Sequence, residues 1–486
     1  VAIAAALFAG IVGYAGAHLV ALNYPLSVDE FMAVFDAAIF RGGHLLAPLP
    51  AEWQELAKAL QPIFLLDPKG AAFWSSSYLP VNAALHAVFA MLGDRALTAP
   101  VLAVAAVMAV YGVARLLWPS RPDAAVVAAV LLATSSQFLV TAMTPYAMTA
   151  HLALDLVWLW LFLRNTGASH GGAMVVGFAA TGLHQLIFHP LFVAPFVLGL
   201  WVQRRFRLAA LYTLAYAAIC LFWVSYWGLI LPVTGGDAGG VSALFARAFS
   251  MLGVDAATFA FMIRNMVRFI AWQNPATLIL FIAALASVRK WQSPLPQLLG
   301  GLVLTIVAMA VILPYQGHGW GYRYLHGLLG SISLIAAYAW VSAAEGQAAR
   351  LRTILAACTI FAVVILPVRA WQVHDFTRPY ARAYDAIRTA DADIVIVDGT
   401  EIWFGGDLVR NDPYLRNTPK VLFLNSLTAD DIPGLCNGRR VAMFGREDAA
   451  RFGIILVPPI AGTSKEDLRN LMMAQGCGTA ALGDAR

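Results

Sequence analysis

Two carboxylates, Asp29 and Glu30, stand side by side just past the first apolar run, in Asn23-Tyr24-Pro25-Leu26-Ser27-Val28-Asp29-Glu30. A carboxylate at a membrane surface and beside a cavity can take the proton of an incoming hydroxyl. An adjacent pair can also hold a divalent ion such as Mg or Mn. The same residues have a plainer use, Asp29 as a helix N-cap and Glu30 as a first-turn acid favoured by the helix dipole.

The cations that could face such a pair are fewer. Arg323 lies in Gly317-His318-Gly319-Trp320-Gly321-Tyr322-Arg323-Tyr324, and Arg264 and Arg268 precede an apolar run that begins near residue 273. A guanidinium matches the oxygens of a phosphate two at a time, so all three are candidates for holding one. The glycines of 317–321 permit close backbone approach, while Trp320 and Tyr322 supply flat faces for stacking or interfacial anchoring. Four further polar or aromatic groups interrupt apolar surroundings: Tyr146, His151, His184 and His189. Each is a candidate for contacting substrate, or equally for satisfying helix polar groups. No His–Cys or His–Glu spacing indicates a structural zinc site.

The elements that must position these residues are mostly membrane helices. Hydrophobic residues make up 60% of the 486 and charged residues only 12%, against roughly 25% charged in an average soluble chain. The charge is uneven: residues 1–369 hold 19 Lys or Arg and 12 Asp or Glu, whereas the last 117 hold 13 and 15. Residues 1–370 therefore read as a multi-pass transmembrane domain, and 371–486 as a soluble domain outside the bilayer. A net charge of +5 does not indicate nucleic acid, because Arg204, Arg205 and Arg207, and Arg289 with Lys290, sit at the ends of apolar stretches. Such charges set topology. The chain begins at Val1 inside an apolar run, without Met, so a short N-terminal piece is expected to precede it.

Apolar runs at 1–22, 99–118, 122–141, 146–163, 172–186, 187–203, 208–231, 273–288, 297–313, 324–342 and 353–369 predict about eleven crossings. The alternative for 172–203 is a single crossing broken at His189-Pro190. Placing the basic clusters in the cytoplasm leaves 79–93 as a partial or interfacial helix. It also gathers the long loops on the outer face: 23–78, the turn at 144–146, 184–189, 232–272 and 314–323. Loop 23–78 holds an amphipathic stretch over 31–40 and a second short helix around Glu52–Lys58, as in helices lying at the interface.

With these motifs the chain resembles the multi-pass, lipid-linked-sugar glycosyltransferases of the GT-C class. The likeness is to the bacterial branch related to protein O-mannosyltransferases and the lipid A aminoarabinose transferase. That family opens its first outer loop with an acidic pair, matched by Asp29-Glu30. It continues with a Pro-rich entry into an aromatic-apolar helix, matched by Tyr78-Leu79-Pro80-Val81-Asn82 through Gly93-Asp94. Leu131–Phe138 and the Arg323-Tyr324-Leu325 helix entrance also match. Two departures stand out: Met148 or Thr149 occupies the place of a second acid, with Asp155 more than a turn away, and Tyr78-Leu79 replaces a His or Lys before the Pro.

The resemblance implies transfer of a sugar from a polyprenyl-phosphate donor to a hydroxyl of a glycan, lipid or protein, with inversion at the anomeric carbon. The reaction would run at the periplasmic or extracellular face of a bacterial inner membrane. A lipid or polysaccharide transporter or flippase, and a lipid-linked glycan polymerase or ligase, are the alternatives. No clear internal repeat favours the transporter.

The last 116 residues alternate as in a small α/β domain, with a charged helix over 378–393, strands at Ile394–Val397, Val421–Leu424 and Ile454–Val457, and a helix over Lys465–Gln475. The loop Asp398–Asp407 reads as ligand-facing. Cys436 and Cys477 both fall in this domain, where an oxidising compartment permits a disulfide.

Overall fold

The computed structural model describes residues 1–66, 72–231, 256–343, 347–458 and 465–483. Most of the expected outer loop 232–272 lies outside the described residues; the part from 256 on is a helix. The chain divides into two compact units, one of residues 1–20, 79–82 and 93–371, the other of 21–78, 83–92 and 372–486.

The first unit is a helical bundle. Among the described residues six helices are long and apolar enough to cross a membrane: Ala2–Leu19, Arg95–Leu117, Phe206–Ile230, Leu295–Ile312, Arg323–Ser342 and Ala349–Arg388. A seventh crossing is reached if Ala257–Ala271 and Pro275–Leu285, bent by 111° at Trp272–Asn274, count as one. The expectation of about eleven crossings is therefore overturned.

The reason is local. Run 122–141 breaks into Pro122–Ala133 and Ser136–Thr141, because Ser135 accepts the Phe138 N–H and caps a new helix. Run 172–203 breaks into Gly167–Thr181 and Phe188–Val202. At 1.5 Å per residue, a 12-residue helix reaches about 18 Å of a hydrocarbon layer roughly 30 Å thick. The short helices are apolar because protein surrounds them: eight of the twelve residues of Pro122–Ala133 are buried. The long ones keep exposed apolar residues, such as Leu214, Leu221 and Leu229 on one helix and Ile360 and Val364 on another, as a lipid-facing surface requires. This is a multi-pass membrane protein. The stretch 79–93 holds the 11-residue helix Val81–Met91.

The second unit joins the loop after the first span to the C-terminal segment through one hydrophobic core. Val28, Met32, Phe35 and Ile39, along one face of the helix Val28–Arg41, share it with Ile394, Ile396, Leu422 and Leu424. Three parallel strands lie in the order Lys420–Phe423, Ile394–Val397, Val441–Phe444, with Val395 opposite both Val421 and Ala442. The third strand is thus Val441–Phe444 and not the expected Ile454–Val457, where only a bridge from Leu456 to Ile402 forms. A small antiparallel sheet, Ala47–Pro48, Phe73–Ser76 and Leu65–Leu66, completes the loop portion.

Polar ties bind the two chain segments of this unit. Trp74 Nε1 donates to the Pro413 carbonyl at 2.7 Å, Asn411 Nδ2 to Leu60 O at 2.8 Å, and Arg410 Nη2 to Leu26 O at 3.1 Å. A disulfide joins Cys436 and Cys477, with Cα atoms 5.6 Å apart.

Candidate active site

Helix Val28–Arg41 starts where Ser27, not Asp29, accepts the Glu30 N–H at 3.3 Å; the cap is Ser27 and the expected N-cap role of Asp29 is corrected. This start sends the two acids to different surroundings. Glu30 is 1% exposed, and its Oε2 accepts the Leu26 N–H at 2.5 Å. Burial raises its pKa from 4.5 to about 8, against the lowering pull of the Leu26 N–H and Arg410 and with Asp29 and Asp407 adding to the rise. Asp29 is half-buried and accepts a hydrogen bond from the Tyr78 hydroxyl. A metal held jointly by Asp29 and Glu30 is poorly served by this arrangement, since one carboxylate is turned into the core. Among the described residues no group of three or more His, Cys, Asp or Glu side chains converges as a metal site.

Behind Glu30, Arg410 is buried over three rings: Tyr24 at 4.0 Å, Phe31 at 5.3 Å and Tyr384 at 5.5 Å. Its Nε donates to Asp407 O at 2.7 Å. A buried guanidinium needs such partners, and the aromatic faces supply the remainder. Asp36, two turns beyond Asp29, accepts from Ser75 Oγ at 3.1 Å, Ser76 N at 3.0 Å and the Ser76 hydroxyl. Burial raises its pKa to about 6 despite those bonds. In the expected ligand-facing loop, Asp398 is 6% exposed, accepts from Thr400 and faces Arg469 Nε at 2.5 Å. That loop is tied inward.

The helical unit gathers the other candidates around Arg323. Its guanidinium lies over the rings of Tyr324 at 5.1 Å and Tyr146 at 5.5 Å, and Nη2 donates to Tyr324 Oη at 3.3 Å. A small cavity of about 20 Å³ is lined by Arg323, Tyr324, His151, Asp155, Phe188 and Thr305, among others. That is room for roughly one water-sized group. His151 and Asp155 share it because they are four apart on the helix Met148–Arg164.

Asp155 Oδ1 meets His189 Nδ1 at 2.6 Å, and His189 Nε2 meets Tyr216 Oη at 2.8 Å. His189, expected from the sequence to contact substrate, is 0% exposed and held between Asp155 and Tyr216. A Cβ on Gly177 would stand 2.2 Å from Tyr216 Oη, and glycine there leaves room for the relay. Both ring nitrogens of His151 are buried without a hydrogen-bond partner.

The segment carrying Arg323 is held by Gln137, whose Nε2 donates to Tyr322 O at 2.8 Å and whose Oε1 accepts the Tyr322 N–H at 3.3 Å. Gly321 has φ +70°, and a Cβ there would fall 2.2 Å from Gln137 Oε1. Arg268 Nη2 donates to Gly319 O at 2.6 Å, and Trp320 packs on Trp272 at 5.9 Å. Arg268 and Trp320 thus shape the glycine segment. Tyr322 is 0% exposed, a core residue and not the stacking platform expected. Arg264 is exposed, beside Phe261 at 5.8 Å. His184 sits in the turn before Phe188–Val202, its carbonyl accepting the Leu79 N–H at 3.0 Å. Gln137 and Tyr78 join the candidate residues through contacts with residues distant in sequence. Asp155 was noted only for its distance from the expected acid.

No family model and no curated protein matches the chain. Among solved structures, it resembles the crystal structure of ArnT from Cupriavidus metallidurans bound to undecaprenyl phosphate. The TM-score is 0.59 and the identity 13%, over 93% of this chain and 86% of that one. The chain shares the overall fold of that structure. The apo structure of the same ArnT gives a TM-score of 0.48 at 12% identity, over 91% and 85%. At these identities the likeness to ArnT is one of fold.

Proposed function

We propose that the protein transfers a sugar from a polyprenyl-phosphate donor to a hydroxyl acceptor, as a membrane glycosyltransferase of the protein O-mannosyltransferase and aminoarabinose transferase branch. The observation that carries this reading is the fold shared with ArnT in a structure bound to undecaprenyl phosphate. Arg323, a cation bounded by aromatic rings in an apolar bundle, suits a lipid phosphate.

In this reading Asp29 takes the acceptor's proton as the acceptor oxygen bonds to the anomeric carbon. The bond from that carbon to the phosphate oxygen breaks, its electron pair passes to the departing lipid phosphate, and the centre inverts. Tyr78 donates to Asp29 and fixes its carboxylate. In the helical unit, Arg323 is the candidate for binding the donor's phosphate. The disulfide Cys436–Cys477 favours an oxidising compartment for the second unit, hence the periplasmic or extracellular side.

The test is transfer by the purified protein from defined polyprenyl-phosphate sugars, wild type against Asp29→Asn. A fall of about 10²–10⁴-fold is expected, with unfolding temperature unchanged. Undiminished transfer by the variant removes Asp29 as the base, and no transfer by wild type from any lipid-phosphate sugar removes the reaction class.

A further inference from the structure

A second cavity, of about 200 Å³, opens elsewhere in the helical unit and serves no part of the proposed reaction. Its polar lining is Asn165, Gln203, Arg205, Ser293 and Gln297; its apolar lining is Phe162, Leu163, Phe196 and Leu200. The chain itself gives its depth. Arg205 immediately precedes the span Phe206–Ile230, and Ser293 lies two residues before the span Leu295–Ile312. Two crossings begin at this level, so the polar lining stands at headgroup depth. The apolar residues belong to helix turns that reach towards the hydrocarbon: Phe162 and Leu163 in Met148–Arg164, Phe196 and Leu200 in Phe188–Val202.

The lining has a cation and no carboxylate. Arg205 Nη2 donates to Asn165 Oδ1 at 2.5 Å, and the same oxygen meets His170 Nε2 at 3.2 Å. The guanidinium is thereby oriented while keeping other N–H groups for a ligand. Gln297 Oε1 is buried without a hydrogen-bond partner, and an acceptor so placed calls for a donor. A Cβ on Gly199 would approach Gln297 Nε2 to 2.6 Å, so glycine there lets the amide lie across the neighbouring helix.

We infer that this cavity binds an anionic glycerophospholipid with a hydroxylated headgroup, of the phosphatidylglycerol class. Arg205 meets the phosphate, Gln297 Oε1 accepts from a headgroup hydroxyl, and the acyl chains start along Phe162, Phe196 and Leu200. Amphipathic lining at interfacial depth matches a lipid better than a soluble anion.

The purified full chain in detergent would be titrated with phosphatidylglycerol or phosphatidylcholine of identical acyl chains, and bound lipid counted by native mass spectrometry. Phosphatidylglycerol should be retained about fivefold or more over phosphatidylcholine, and Arg205→Gln should remove most of that preference. Arg289→Gln, an exposed cation outside the cavity, should leave it intact. Gln297→Leu should weaken phosphatidylglycerol but not phosphatidic acid, which lacks the headgroup hydroxyl. Equal retention of the first two lipids, no effect of Arg205→Gln, or an equal loss in Arg289→Gln would overturn the site. Parallel loss of both anionic lipids in Gln297→Leu would overturn the hydroxyl contact. Displacement of the lipid by millimolar inorganic phosphate would overturn a lipid ligand. None of these readouts depends on sugar transfer.

Discussion

The Asp29 region and the Arg323 region solve opposite problems with similar residues. In the loop unit, Glu30 and Arg410 are almost wholly buried and Arg410 ties chain segments together, while half-buried Asp29 accepts a hydrogen bond from Tyr78. In the helical unit, the buried acid Asp155 is fastened to His189 and also lines a cavity, with half-buried Arg323 on the same wall. Burial therefore does not sort structure from chemistry here. The useful distinction is whether a charged group's partners close around it or leave one side towards a cavity.

That contrast can be broken in four ways beyond the Asp29 test. The largest effect is expected from Asp155→Ala, which strips His189 of its carboxylate; loss of one partner in a buried pair costs about 3–5 kcal/mol. A large drop in unfolding temperature in detergent would report it, and an unchanged temperature would mean that the pair contributes little to the bundle. Cys436→Ser comes next, since removing a native disulfide costs about 2–4 kcal/mol. Protease cleavage confined to the second unit should rise, and resistance equal to wild type would count against the disulfide as its clasp.

Arg323→Gln should weaken donor binding by roughly 1.5–3 kcal/mol, or about 10–100-fold. The unfolding temperature should stay close to that of the parent. If stability falls and donor affinity does not, Arg323 belongs with Arg410 as a structural cation. The last test concerns Glu30. Its folded pKa of about 8 lies above the ordinary 4.5, so its contribution to stability is fully present below 4.5 and is lost as pH rises through 8. Wild-type stability should decline across that window, while Glu30→Gln should flatten the decline. An identical slope in both would assign the pH dependence to other groups, Asp36 first among them.

How much of this could be read from the residues alone depended on the range of each interaction. Asp29-Glu30 and the Arg323 segment were visible because motif and chemistry lie within a few residues. The separation of Asp29 from Glu30 was not, because it rests on the cap at Ser27 and on Arg410, which meets Leu26 across 384 positions. The crossings were overcounted because an apolar run does not say whether lipid or protein will surround it. Pro122–Ala133 shows the second case. Val441–Phe444 is less apolar than Ile454–Val457, yet pairing beside Ile394–Val397 makes it the strand. Asp155 was set aside for its spacing from the turn, and only His189, 34 positions on, gives it a place.

The shared core of the second unit also imposes an order on biosynthesis. Val28, Met32, Phe35 and Ile39 are made early, yet the strands that cover them follow residue 393. At ribosomal speeds of about 5–20 residues per second, some 350 residues pass in roughly 20–70 s. For that interval the nascent loop has only its own residues, such as Trp74 against Phe35, to cover its apolar face while the bundle is being inserted. A ribosome stalled before the last strands would leave an inserted bundle carrying a loop whose core lacks Ile394, Ile396, Leu422 and Leu424.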